Sequence, residues 1–274
     1  MPEPHSPDLE AYFARIGYTG PRTPTLVTLN AIAEHHTATI PFENLDVLLG
    51  RGINLDLVAI ERKIVHNQRG GYCFEQNFLL MTVLLKLGFH AVPLSARVRW
   101  QRARDFTPPR THVFIRVDLD GECWLMDAGV GGLSLTSAIR LDTEAAQTTP
   151  HDTRRIIHED GRYFHQVRIG ADWQDVCEFT GEEMPAIDRE LANWYTSAHP
   201  QSHFRNRLIV ARAAANRERY ALLNHEFTHR RADGQGETRL LTTPDELLMI
   251  LESHFGLHFP AGTRFGPPGS AWPS

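Results

Sequence analysis

Hydrophobic and polar positions change period twice along this chain. Up to residue 88 the apolar residues recur at helical spacing. Leu9 to Ile16 form a short helix stopped by Gly17, and Thr25 caps a second helix with Leu26, Leu29, Ile32 and Ala33 on one face. Asp56 caps a third through Leu57, Ile60 and Ile64, which delivers the chain to Arg69. A fourth carries Phe74, Phe78, Met81, Leu84, Leu85 and Leu87 and ends at Gly88, the place of a left-handed cap. Between the second and third, Phe42 to Asp46 is too short for an element of its own, and Glu43 is expected to pair with Arg15.

From His90 the period becomes two. Val92, Leu94, Ala96, Val98 and Trp100 alternate as a strand, and Pro108-Pro109 breaks the run. Thr111 to Leu119 and Glu122 to Ala128 alternate around Asp120-Gly121, a two-residue hairpin signal. Further short strands with turns at Glu159-Asp160-Gly161 and Gly170-Ala171-Asp172 predict an antiparallel sheet or barrel. Alternation returns from Leu208 to Leu223 and from Glu226 to Leu241, turning near Asp233 to Gly236. The last element is a helix capped by Thr243, with Pro244 first, Glu246 completing a capping box and Gly256 as stop. The expected fold is therefore α+β, with a helical bundle over residues 1–88, a barrel-like antiparallel β region over 89–205 and a C-terminal α/β region over 206–274.

Cys73 follows Gly70-Gly71-Tyr72 and stands in the first turn of the fourth helix. There the unpaired backbone N–H groups and the helix dipole favour a thiolate. The two glycines are expected to turn the chain sharply and leave the sulfur open. A lone cysteine at the edge of an apolar helix is also a common core residue, so position alone leaves both readings open. In the hairpin, Asp120 and Gly121 as loop residues pair Leu119 with Glu122 and put Asp127 opposite Phe114. That register gathers Val113, Ile115, Val117, Trp124, Met126 and Ala128 on one apolar face. His112 and Asp127 then share the other face as diagonal neighbours, roughly 7–8 Å apart at the backbone. The carboxylate can hold the imidazole tautomer while the other ring nitrogen takes the thiol proton. An ordinary surface His beside a surface Asp is the competing reading.

With these residues in view, the chain resembles the arylamine N-acetyltransferases. The resemblance rests on Arg69-Gly70-Gly71-Tyr72-Cys73-Phe74-Glu75-Gln76-Asn77, on Arg110-Thr111-His112 and on Asp127-Ala128-Gly129-Val130-Gly131-Gly132. Pro41 to Asp46 and Ser202-His203-Phe204 support it. It implies a Cys73, His112, Asp127 triad in a papain-like arrangement, with acetyl-CoA as acyl donor and small aromatic amines or hydrazines as acceptors. It further implies contacts to the acyl donor from Thr111, Gly129, Gly131 and Phe204, and acceptor-pocket walls at Phe42, Val98 and Val130. The family usually carries an aromatic where this chain has Val130, so one wall of the acceptor pocket is expected to be missing. A papain-like cysteine hydrolase and a non-catalytic binding module are the alternatives.

Composition narrows the remaining choices. The chain has 274 residues, 42% of them hydrophobic, enough for a sizeable core. No stretch approaches the roughly 20 apolar residues of a membrane span, and the first residues lack a signal-peptide pattern. Three widely separated cysteines suit a reducing compartment, and a cytoplasmic location is expected. A net charge of −5 without a long basic run gives no support for nucleic-acid binding, although Arg97, Arg99, Arg102 and Arg104 cluster. His225-Glu226-Phe227-Thr228-His229 matches a zinc-protease pattern that requires a helix. In a strand-like run its histidines stand about 13 Å apart, so no metal is expected.

Overall fold

Helix signals in the first third mark the elements found in the computed structural model, which describes residues 6–214 and 216–266. The leading segment read above for a signal peptide lies, but for Ser6, outside the described residues. Helix α1 (Leu9–Ile16) opens on the Asp8 side chain and closes on Gly17 at φ +66°. Thr25 caps α2 (Leu26–Thr39), accepting from the Thr28 N–H at 3.2 Å. The following segment is ordered into two small elements, β1 (Phe42–Glu43) and α3 (Leu45–Leu48), although it is too short to signal either. Asp56 makes no side-chain cap on α4 (Leu57–Glu61), which runs into one π turn over Arg62–His66. Helix α5 (Cys73–Lys86) begins at the cysteine, and Gly88 after it takes φ +91°.

The middle of the chain is an eight-stranded antiparallel sheet. Its strands are β2 (His90–Val98), β3 (His112–Leu119), β4 (Glu122–Met126), β5 (Ile139–Arg140), β6 (Gln147–Thr148), β7 (Thr153–Glu159), β8 (Arg162–Ile169) and β9 (Asp172–Glu183), ordered β5-β4-β3-β2-β9-β8-β7-β6. The β3–β4 register is the one its turn demands, with Leu119 facing Glu122 and Ile115 facing Met126. Asp120 and Gly121 both take positive φ, as a hairpin loop of this twist needs. The two edges nearly close the sheet into a barrel through one side chain. Gln147 of β6 accepts from the Arg140 N–H of β5 at 2.6 Å and donates to its carbonyl at 2.9 Å.

The chain then forms α6 (Ala186–Ala198) and α7 (His203–Asn206), where the sequence pattern signalled no helix. Ile187, Leu191 and Trp194 of α6 point outward and its buried side carries Ala192 and Thr196, so the apolar stripe does not mark the packed face. The run from Leu208 to Leu223 is a hairpin, β10 (Ile209–Ala213) and β11 (Arg219–Leu223), rather than one strand. Strands β12 (Glu226–Arg230) and β13 (Gly236–Leu240) follow, and α8 (Pro244–Phe255) ends on Gly256 at φ +66°. These strands form a five-stranded antiparallel sheet whose edge is β1, pairing Phe42 with Ala211.

Three apolar clusters result. The largest joins α1, α2 and α5 to the eight-stranded sheet, and the second lies between the five-stranded sheet and α8. The third, smaller, contains Cys73 and Phe42 and sits where the two sheets approach. Among the described residues no helix is long and apolar enough to cross a membrane.

Candidate active site

The start of α5 is fixed from below by buried charge. Glu75 accepts from the Tyr72 N–H at 3.1 Å and from Lys63 Nζ at 2.7 Å. Lys63 also lies 3.2 Å from Asp46, and Arg69 bonds Glu43 at 2.6 Å and Asp46 at 3.2 Å. Glu43 thus pairs with Arg69, not with Arg15 as the sequence led us to expect. Arg15 instead donates to the carbonyls of Ile64 at 3.0 Å and Gln68 at 3.2 Å, capping the π turn. Burial acts to lower the charge on Lys63, but Glu75, Glu43 and Asp46 outweigh it and raise its pKa.

The two glycines before Cys73 serve close packing and not a sharp turn. Neither has positive φ. A β-carbon on Gly70 would lie 2.0 Å from the Pro41 carbonyl oxygen, and one on Gly71 would lie 2.8 Å from a Glu75 carboxylate oxygen. Gly71 forms a parallel bridge with Phe42, its carbonyl accepting from the Glu43 N–H at 3.0 Å. Gln76 ties the same backbone down, donating to the carbonyls of Gly71 at 2.7 Å and Pro41 at 3.2 Å. Its carbonyl oxygen faces His36 Nε2 at 3.1 Å, and His36 Nδ1 lies 2.8 Å from the Tyr12 hydroxyl. Burial lowers the His36 pKa to about 4, so the ring is neutral, with Nε2 donating to Gln76 and Nδ1 accepting from Tyr12.

The β3–β4 hairpin supplies the other two groups. His112 Nε2 lies 2.8 Å from Asp127 Oδ2, and both side chains are fully buried, which removes the surface-pair reading. A carboxylate only accepts, so Nε2 carries a proton and Nδ1 is left to face the neighbouring Cys73 thiol. Asp127 Oδ1 accepts from Asn77 Nδ2 and from the Gly129 N–H, each at 2.8 Å. Asn77 further binds the Val113 carbonyl at 2.7 Å and the Ala128 N–H at 2.8 Å. Burial pushes the His112 imidazole down, but the Asp127 carboxylate and the contact with Cys73 outweigh it and raise its pKa from 6.5 to about 10. At neutral pH the ring is a cation, able to hold a thiolate beside it.

Around the sulfur the walls are apolar. Phe42 and Tyr72 each pack near Phe204, with ring centres 6.0 Å and 5.7 Å apart, and Met184 and Ile209 complete the surface. The Thr111 carbonyl lies 3.7 Å from Cys73 Sγ. Gly129 touches the helix itself, since a β-carbon there would be 2.5 Å from Cys73 Cα, and one on Gly131 would be 3.7 Å from the Phe42 ring. Val130 packs against the main core and Val98 is exposed at the end of β2, so neither joins the cluster that holds Cys73. Asn77 and Gln76, four and three residues after Cys73, had no assigned part. Their signal was present in the spacing, which places both one helical turn from the thiol.

His225 to His229 spans the β11–β12 turn and β12, and His229 bonds Glu218 at 2.8 Å. Among the described residues no group of three or more His, Cys, Asp or Glu is placed to hold a metal ion.

Comparison with known proteins gives one consistent result. A family model described as N-acetyltransferase matches residues 25–263. The chain is 39% identical to an arylamine N-acetyltransferase of Escherichia coli, over 92% of this chain and 89% of that protein. The solved arylamine N-acetyltransferase of Mycobacterium tuberculosis superposes with a TM-score of 0.87 at 39% identity, covering 91% of this chain and 93% of that one. The Mycobacterium marinum structure in complex with CoA gives 0.87 at 34% identity over 91% and 92%.

Two outcomes are expected of the geometry. Gly70→Ala should cost about 1–3 kcal/mol in urea unfolding, because the backbone oxygen it meets cannot move aside. Because the folded pKa of His112 is raised, its contribution to stability is full below 6.5 and is lost as pH rises through about 10. NMR of labelled histidine should find one ring titrating near 10, and Asp127→Asn should drop that value by leaving burial without its main opponent. An imidazole with the same pKa in both proteins would show that the carboxylate does not hold the charge.

Proposed function

The chain belongs to the arylamine N-acetyltransferase family, and from that premise we propose that it carries an acetyl group from acetyl-CoA to the nitrogen of arylamines or arylhydrazines by way of Cys73. The observation that carries this reading is the buried His112–Asp127 bond beside a thiol at the first residue of α5. The CoA complex of the Mycobacterium marinum relative supports the choice of donor.

In the first half-reaction the Cys73 sulfur, as thiolate beside the His112 imidazolium, attacks the thioester carbonyl of acetyl-CoA. The tetrahedral adduct collapses by breaking the bond to the CoA sulfur, which leaves with the proton from His112. Acetyl-Cys73 remains, with a neutral imidazole. In the second half-reaction the amine attacks the same carbonyl and gives a proton to His112. The Cys73 sulfur leaves, the amide departs and the thiolate–imidazolium pair is restored. Asp127 keeps the ring oriented throughout, and Asn77 and the Gly129 N–H keep Asp127 oriented.

The apolar walls suit a flat acceptor. Phe42 forms an aromatic side of the acceptor site, and Phe204, with its ring centre 6.0 Å away, stands between it and the acyl donor. The Thr111 carbonyl, Gly129 and Gly131 border the acyl position. The three free thiols, with Cys123 partly exposed, fit a reducing compartment, and we place the enzyme in the cytoplasm.

Acetyl-CoA added alone should raise the protein's mass by one acetyl group on Cys73, stable until an arylamine is supplied, and initial rates should follow ping-pong kinetics. Rapid loss of that acetyl group to water would instead indicate a hydrolase. Cys73→Ala should abolish acylation, and His112→Ala should lower kcat by roughly 100- to 10,000-fold. Full activity in the Cys73→Ala variant would overturn the mechanism.

A further inference from the structure

One buried cluster has no part in the chemistry above. Asp152 accepts from Arg154 Nη2 at 2.8 Å, from Arg230 Nη2 at 2.7 Å and from Arg219 Nη2. Arg154 and Arg219 are buried, and Arg219 and Arg230 are directly opposed on β11 and β12, where like charges repel. One carboxylate does not balance three guanidinium groups, so the arrangement needs further acceptors.

One of those acceptors is His165 Nε2 on β8, 3.4 Å from Arg154 Nη1, and two more come from a single loop. Arg154 Nη2 donates to the Leu133 carbonyl at 3.0 Å and Arg219 Nη2 to the Ser134 carbonyl at 3.2 Å. Neighbouring His151 reaches Thr136 Oγ1 at 3.1 Å. The loop begins at Asp127, and the Leu135 N–H closes its base on the Asp127 carbonyl at 2.7 Å. Its glycines pack on the site: β-carbons on Gly129, Gly131 and Gly132 would lie 2.5 Å from Cys73 Cα, 3.7 Å from the Phe42 ring and 3.9 Å from Ala211 Cβ. The clamp also joins β7 of the large sheet to β11 and β12 of the small one, so it holds the loop from both sides.

We propose that Arg219 and Arg154, oriented by Asp152, are positioning residues that press the 129–134 loop against Phe42 and thereby set the shape of the acceptor pocket. The proposal rests on the transferase reading of the site. Arg230 bonds the same carboxylate but reaches no loop carbonyl, which makes it the natural control.

The test compares Arg219→Gln with Arg230→Gln in the full-length enzyme, measuring melting temperature, acylation of Cys73 by acetyl-CoA and the KM of an aniline-type acceptor. Arg219→Gln should still form acetyl-Cys73 yet raise the acceptor KM roughly tenfold, a larger change than in its acylation rate and a typical effect of a misplaced pocket wall. Arg230→Gln should lower the melting temperature with the acceptor KM kept within about twofold. If Arg219→Gln does not fold, Arg219→Lys serves, since its ammonium keeps the charge near Asp152 but ends one bond short of the Nη2 that donates to both Asp152 and the Ser134 carbonyl. An unchanged acceptor KM in the Arg219 variant, or an equal rise in both variants, would overturn the clamp. Failure of the wild type to acylate would overturn the transferase reading instead, so the two failures are told apart.

Discussion

A buried carboxylate needs a partner for each oxygen, and the architecture around Asp127 supplies them. Placed in a low-dielectric interior without partners, such a group carries a large desolvation cost. Its two oxygens are instead satisfied by His112, Asn77 and the Gly129 N–H. These partners come from β3, from α5 and from the loop after β4, so satisfying the oxygens of one side chain requires the hairpin and the helix to be docked. The same docking brings the imidazole to the thiol. Loss of any one partner therefore disturbs the orientation of the imidazole as well as stability.

A second charged layer plays the matching part under Cys73. Glu75 and Glu43 are buried, and Lys63 and Arg69 answer them from the π turn and the stretch that follows. Breaking such a pair leaves an uncompensated charge and costs more than the intact pair contributes. The layer is accordingly better understood as a device for register. It seats Arg69 to Tyr72 against Pro41 to Glu43, where no side chain larger than hydrogen fits at position 70. Since Phe42 also pairs with Ala211, the strand that locates the thiol is the edge of the C-terminal sheet. The position of the sulfur thus depends on all three parts of the chain.

Local signals carried much of this in the sequence. The Asp120-Gly121 turn set the β3–β4 register, and with it the side on which His112 and Asp127 meet. Thr25, Gly17 and Thr243 marked helix ends through capping that needs no tertiary context. What escaped was decided at long range. Glu43 chose Arg69 over Arg15 because the Gly71–Phe42 bridge brings Arg69 alongside, a contact no spacing rule contains. Helix α6 escaped because its large apolar residues lie outside while Asn193 faces inward, its side-chain oxygen accepting from the Tyr72 hydroxyl. The glycines at 70 and 71 were read as turn formers because close approach between distant segments leaves no mark in a single sequence.

The helical period explains why these demands fall on so short a segment. Residues at i, i+3 and i+4 share a face, so placing Cys73 at the first position of α5 automatically directs Gln76 and Asn77 to the same side. Gln76 then holds the strand bridge behind the sulfur, and Asn77 holds the carboxylate beside it. A nucleophile on a flexible loop would need separate groups for each task and would lose entropy every time it met its base. Here one turn of helix sets both distances at once, and the helix dipole favours negative charge at its first residue. The facing loop at Gly129 to Ser134 packs on the same helix through Gly129, where a β-carbon would lie 2.5 Å from Cys73 Cα.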